Sequence, residues 1–224
     1  MKIGVPKEIK SDEYRVGLVP SSVRELVHHD HQVYIEKGAG LGIDISDEDF
    51  KQAGATILQT ADDVFEQAEL IIKVKEPQPI ELRRLKPKHI LFTYLHLAPD
   101  PEQARGLIES GCAAIAYETV TDKYDRLPLL TPMSVVAGRM SIQAGAHALE
   151  KAQGGRGNLL GGVPGVEGAN VVVIGGGVVG THAVRMAIGN EALVTVLDKS
   201  LDRLEILDAQ FGASLNTIYA TKDS

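Results

Sequence analysis

The run IIKVKEP at 71–77 closes an apolar, strand-like segment with two lysines, Lys73 and Lys75. Side chains alternate along a strand, so both ammonium groups share one face while Ile72 and Val74 share the other. That face is either a solvated edge or a pocket needing positive charge at the C-terminal end of a strand, where open α/β sheets bind ligands. Two more groups stand in comparable places. Arg15, in EYRVGLVP, follows the first apolar run in a segment that reads as a loop. Its guanidinium can grip a carboxylate through two parallel hydrogen bonds or simply be solvated. His96 ends the run LFTYLH, where an imidazole can exchange protons near neutral pH or be packed and hydrogen-bonded.

A second chemistry is written in NVVVIGGGVVG and VTVLD. Gly175, Gly177 and Gly180 fit GxGxxG directly after an apolar strand and at the opening of a helix, with Asp198 ending the next strand. The first glycine permits a tight turn, the second lets backbone approach a pyrophosphate, and the third lets helix pack on strand. The helix start presents amide donors to phosphate. Asp198 would accept hydrogen bonds from ribose hydroxyls and repel a 2′-phosphate, favouring NAD over NADP. An ordinary glycine-rich turn is the alternative; strand, helix and acid together favour the dinucleotide.

The elements that must hold these groups recur along the chain. Strand-like runs lie at 2–6, 32–36, 55–58, 70–74, 89–95 and 113–118, with helical spacing between most of them. PEQARGLIESG opens on proline and closes on glycine, as helices do, and Ser46 before DEDF reads as a helix cap. Alternation of this kind implies a mostly parallel sheet with helices on its faces. The expected organisation is α/β: an N-terminal parallel-sheet domain over 1–130, then a partial Rossmann-type dinucleotide-binding domain over 131–224, opened by a long helix from Met133 to about Gln153.

Composition narrows the function further. Of 224 residues, 44% are apolar and 24% charged, a globular balance, and the net charge of −7 without a basic stripe argues against a nucleic-acid surface. Cys112 is the single cysteine and has no internal disulfide partner. The charged N-terminal segment does not read as a signal sequence, so a cytoplasmic protein is expected, with no membrane-spanning run. His28, His29 and His31 lie close together but lack carboxylate or cysteine company at ligand spacing, so no metal site is expected.

Taken together, IGVPKEIK, EYRVGLVP, IIKVKEP, ILFTYLHLAP, AYETV, LPLLTPMS, AGRMSIQAGA, GGRGNLLGGVPGV and VVVIGGGVVG resemble the alanine dehydrogenases, in the family shared with the α subunit of proton-translocating nicotinamide nucleotide transhydrogenase. The resemblance covers the whole chain. It implies NAD-dependent conversion of L-alanine to pyruvate and ammonium, with His96 as catalytic acid/base, Lys75 as the substrate-pocket lysine and Arg15 pairing with the substrate carboxylate. Lys73 then becomes a supporting or edge residue. Ser134, Val178, Val179, Asp198 and Arg203 match residues near the cofactor, and Tyr94, Glu118 and Met133 match residues lining or supporting the site. The transhydrogenase subunits do not keep the lysine of KVKEP or the histidine of YLHLA, which favours the alanine enzymes over a transhydrogenase-type subunit. Another amino-acid dehydrogenase and a nucleotide-binding fragment without catalysis are the remaining alternatives.

The resemblance also implies a homo-oligomer, a hexamer in relatives. It carries departures as well: Gly176 where many relatives have alanine, Val135 in place of a glutamate, Ala220 in place of a serine, and GNEALVTV in place of a glycine-containing turn. Relatives run well beyond this length, and a chain ending at Ser224 is expected to have little dehydrogenase activity alone.

Overall fold

A computed structural model describes residues 1–223. It divides into two compact units, Met1–Tyr124 and the residues from Asp125 onward. In the first, the chain runs β1 (Lys2–Val5), α1 (Pro20–His28), β2 (Gln32–Glu36), α2 (Asp47–Gln52), β3 (Thr56–Leu58), α3 (Ala61–Gln67), β4 (Leu70–Ile72), α4 (Pro79–Leu82), β5 (Ile90–Thr93), α5 (Pro101–Ser110) and β6 (Ala113–Ala116). All six strands are parallel, in the order β3-β2-β1-β4-β5-β6. The order runs outward in both directions from β1 and β4, so a crevice opens between the loops that leave those two strands at their C-terminal ends.

Local chemistry explains the element ends. Ser46 and Thr60 each cap a helix by accepting from the amide three residues on, while Asp49 and Asp63 reach back to the cap amides. Gly111 closes α5 with φ of 70°, a conformation that glycine enters without strain. The core is built on alternating strand faces: Ile3, Val5, Val33 and Ile35 pack with Phe50, and Ile71 and Leu91 pack with Phe65 and Leu107. Each such fully buried side chain contributes about 1.5–3 kcal/mol.

Two strands end earlier than the sequence pattern suggests. β4 stops at Ile72, so Lys73 and Lys75 lie beyond it, and β5 stops at Thr93, ahead of Tyr94 and His96. Side-chain carboxylates take over there: Glu8 receives the amide of Val74, and Glu118 receives those of Leu95 and His96.

The second unit comprises α6 (Thr131–Leu149), β7 (Asn170–Ile174), α7 (Val178–Gly189), β8 (Leu193–Asp198), α8 (Leu201–Phe211) and β9 (Leu215–Tyr219). Residues 125–130 belong with it because the Leu127 carbonyl receives the amides of Leu130 and Thr131, forming the turn that starts α6. The expected long helix ends at Leu149, and Lys151–Gln153 form a separate 3-10 turn closed by Gly154 at φ of 81°. The strands form a parallel sheet in the order β7-β8-β9. Val184, Val196 and Leu207 fill its core, while Val172 and Ile174 of β7 remain exposed.

Candidate functional site

In the first unit, Arg15, Lys75, Tyr94 and His96 are carried by the loops following β1, β4 and β5, beside the reversal in strand order. Lys75 Nζ lies 3.2 Å from His96 Nε2. An ammonium group can only donate, so Nε2 accepts and the neutral ring carries its proton on Nδ1. The Tyr94 ring stacks on the imidazole with centroids 5.9 Å apart and planes 17° off parallel. Burial pushes the Tyr94 hydroxyl up, and the positive charge of Arg15 opposes that rise.

His96 itself adopts φ of 47°, the left-handed region that residues other than glycine rarely occupy. Glu118 fixes it there. One carboxylate oxygen accepts the His96 amide at 2.7 Å and the Leu95 amide at 3.0 Å. The Thr93 hydroxyl donates to the Lys75 carbonyl at 2.9 Å, tying the two loops together.

Arg15 is not presented bare. Glu13 receives its Nε at 2.8 Å and its Nη2 at 2.6 Å, forming the bidentate pair that the sequence reading reserved for a substrate. The hydrogen bonds from Arg15 hold the Glu13 carboxyl below its usual range, with burial opposing them. Glu13 was missed because nothing in EYRVG distinguishes a loop carboxylate that chelates the arginine two residues on.

The edge reading of Lys73 is corrected. Its side chain is 1% exposed, and Nζ lies 3.1 Å from Glu8 and 2.8 Å from Glu81, whose side chains are each 2% exposed. Lys75, at 22%, instead sets Nζ 3.2 Å from His96 Nε2 and 3.6 Å from Glu76 Oε2. Neither Glu8 nor Glu81 carried a signal in the sequence, because their meeting with Lys73 depends on how β1, β4 and α4 pack.

The second unit holds the glycine turn. Gly175 has φ of 93°, and a Cβ on Gly180 would lie 1.8 Å from the Gly175 carbonyl oxygen, so strand and helix meet only because glycine stands there. Gly177 caps α7 without any side-chain hydrogen bond, and neither Gly175 nor Gly177 has an atom within 4 Å of where a Cβ would stand. Backbone amides at a helix start, open to close approach, suit a diphosphate.

Asp198 accepts the Gly176 amide at 2.6 Å and the Ser200 amide at 2.9 Å. The amides of Ser200 and then Gly176 hold its carboxyl below the ordinary range. Arg203 donates through Nε to the Gly176 carbonyl and through Nη2 to Thr181. A cavity of about 820 Å³ is lined by Ser134, Gly175, Gly177, Val178, Val179 and Gly180, together with parts of α6 and β7. Asp198 and Arg203 lie outside that lining and meet the turn through Gly176. The open turn, uncapped helix start and acidic strand end fit a dinucleotide. Among the described residues no metal-binding cluster occurs and no helix is long and apolar enough to cross a membrane.

Comparison with known proteins shows the family and the fold. The chain is 56% identical over 224 residues to an alanine dehydrogenase of Halomonas elongata, covering 100% of the chain and 60% of that protein. A solved L-alanine dehydrogenase superposes with a TM-score of 0.92 at 52% identity, over 99% of this chain and 61% of that one. A transhydrogenase from Sinorhizobium meliloti superposes with a TM-score of 0.82 at 24% identity, over 100% and 62%, a likeness of fold. The chain thus spans about 60% of the length of the curated relative it matches. Residues 4–137 match the N-terminal domain of alanine dehydrogenase/PNT and residues 141–224 its C-terminal domain, and the chain belongs to that family.

Proposed function

We propose that the chain carries the substrate site and the first part of the nucleotide site of an NAD-dependent L-alanine dehydrogenase, with the first unit as substrate domain and the second as nucleotide-binding domain. The observation that carries this reading is the Lys75–His96 pair, 3.2 Å apart at the C-terminal edge of a doubly wound sheet. The family uses a nicotinamide nucleotide; the finer assignment to NAD rests on Asp198, whose charge would repel a 2′-phosphate. Oxidative deamination of L-alanine consumes NAD and water and yields pyruvate, ammonium, NADH and a proton. When bound, the nicotinamide accepts the hydride from the substrate α-carbon.

The remaining chemistry falls to this chain's residues. Arg15 binds the substrate carboxylate, by exchange with Glu13 where the two carboxylates compete for the same donors. His96 takes a proton from the water that attacks the imine carbon, returns it to the departing nitrogen, and takes the hydroxyl proton as the carbinolamine collapses, that proton ending on the released ammonia. Lys75 donates a hydrogen bond to the oxygen on that carbon, stabilising negative charge as the carbinolamine collapses. Tyr94 packs against the imidazole and limits its orientation. Ser134, Val178 and Val179 line the nucleotide side, and Arg203 braces the glycine turn from behind.

The cellular setting proposed is a cytoplasmic homohexamer, by resemblance to relatives. The site assignment is tested by titrating pyruvate and NAD separately into isotopically labelled chain and following backbone and side-chain NMR signals. Pyruvate is expected to move Arg15, Lys75 and His96, and NAD to move the 175–180 turn and Asp198. Shifts confined to other residues would overturn the assignment.

A further inference from the structure

Lys73 is the most unusual group that the proposed chemistry leaves unused. Its ammonium is as buried as the core isoleucines, and it is flanked by two carboxylates from different segments. Glu8 comes from the loop that also carries Arg15, and Glu81 from α4. Taking such charges out of water is costly, and a buried ion cluster is seldom kept for stability alone, since well-packed apolar residues often do as well. What the cluster organises is therefore informative.

Its second set of bonds goes to backbone. Glu8 spends one oxygen on Lys73 at 3.1 Å and the other on the Val74 amide at 2.6 Å. Glu81 likewise spends one oxygen on Lys73 at 2.8 Å and the other on the Gln78 amide at 2.8 Å. These contacts begin where β4 ends. The Lys73 amide reaches the Phe92 carbonyl at 3.2 Å, and the Val74 carbonyl receives the Tyr94 amide at 3.3 Å. With Thr93 holding the Lys75 carbonyl, the chain from 73 to 78 is fastened on both sides without being part of a strand. Lys75 sits in the middle of that segment, with Nζ directed at His96.

We propose that Lys73 is a positioning residue for Lys75: by bridging Glu8 and Glu81 it fixes the segment that sets Lys75 Nζ against His96 Nε2, and joins it to the loop bearing Arg15. The two lysines of the run thus divide the work, one held inside to aim the other. The inference rests on Lys75 being the group that meets substrate. Its geometric content is independent of turnover.

The test compares the unaltered chain with Lys73→Met and with the paired change Lys73→Met/Glu81→Gln, which leaves the same net charge in the cluster and so guards against unfolding from an uncompensated pair of carboxylates. Imidazole ¹⁵N signals of His96 report whether Nε2 still accepts a hydrogen bond, and alanine-dependent NADH formation by the protein expressed from its own gene reports turnover. In a folded variant, the His96 Nε2 signal should move toward that of an unpaired imidazole, and kcat should fall roughly 100-fold with KM for alanine little changed. A folded paired variant with unchanged His96 signals would overturn the inference. If the signals move but the unaltered protein shows no alanine-dependent turnover, the positioning role stands and the dehydrogenase reading fails.

Discussion

Glu118 accepts the backbone amide of His96 at 2.7 Å, and the residue so held has φ of 47°. A left-handed conformation costs a residue with a Cβ about 1–2 kcal/mol, so the histidine proposed to transfer protons is kept in a strained place by a carboxylate one strand away. Removing the strain and removing the clamp should act in opposite directions.

His96→Gly is expected to keep or raise stability, by up to about 1 kcal/mol, because glycine enters this conformation freely. Glu118→Ala, which orphans two amides, should lower it by about 1–3 kcal/mol. Urea unfolding of the two variants decides. Equal destabilisation by both would mean that the strain is not relieved as argued.

Glu191 occupies the turn between α7 and β8 with φ of 62°, where the resemblance led us to expect glycine. The connection survives the substitution: Glu191 donates to the Ile188 carbonyl at 2.8 Å and Ala192 to the Ala187 carbonyl at 3.1 Å. Glu191→Gly should therefore stabilise the chain by about 1 kcal/mol in thermal unfolding. A loss of stability would place the benefit of glutamate elsewhere.

His89 contributes a pH dependence to stability. It is 1% exposed, its Nε2 meets the Phe65 carbonyl at 2.8 Å, and its Nδ1 accepts the Lys86 amide at 3.0 Å, so the ring is held neutral. Burial pushes its pKa below the usual 6.5. A histidine lowered in the folded state leaves the unfolded chain binding more protons between the two values, so its contribution is complete above about pH 6.5 and is lost as pH falls from there toward the folded value. Unfolding midpoints at about pH 7.5 and about pH 5.5 should differ more in the unaltered chain than in His89→Gln. An identical pH response in both would remove His89 as the cause.

Asp198 accepts the Gly176 and Ser200 amides and is proposed to hold the ribose, and its replacement should show both. Asp198→Ala is expected to weaken NAD binding by about tenfold or more, through lost ribose hydrogen bonds, and to lower stability without ligand because the Gly176 and Ser200 amides lose their acceptor. Calorimetric titration and thermal unfolding separate the two effects. Unchanged NAD affinity would place the ribose away from this carboxylate.

Much of the architecture was legible because it depends on local pattern. Apolar runs, the Ser46 cap, Gly111 and the GxGxxG turn each state their conformation within a few residues. Arg15, Lys75 and His96 were legible as candidates because each follows a strand, and the family resemblance gave them roles. The strand ends were not legible: the pattern runs on past Ile72 and Thr93, and only Glu8 and Glu118, distant in sequence, show where the amides of Val74, Leu95 and His96 go instead of to a neighbouring strand. For the same reason the Arg15–Glu13 pair and the burial of Lys73 were invisible, since a charge reads as solvated until its partner is found.

The central claim is that Lys75 and His96 act together on an alanine-derived substrate. Its most direct test follows NADH formation from L-alanine and NAD by the protein expressed from its own gene, beside His96→Ala and Lys75→Ala. Alanine-dependent NADH formation that falls roughly 100-fold or more in each variant is the expected result. Undiminished rates in either variant, or no dependence on alanine, would contradict the claim.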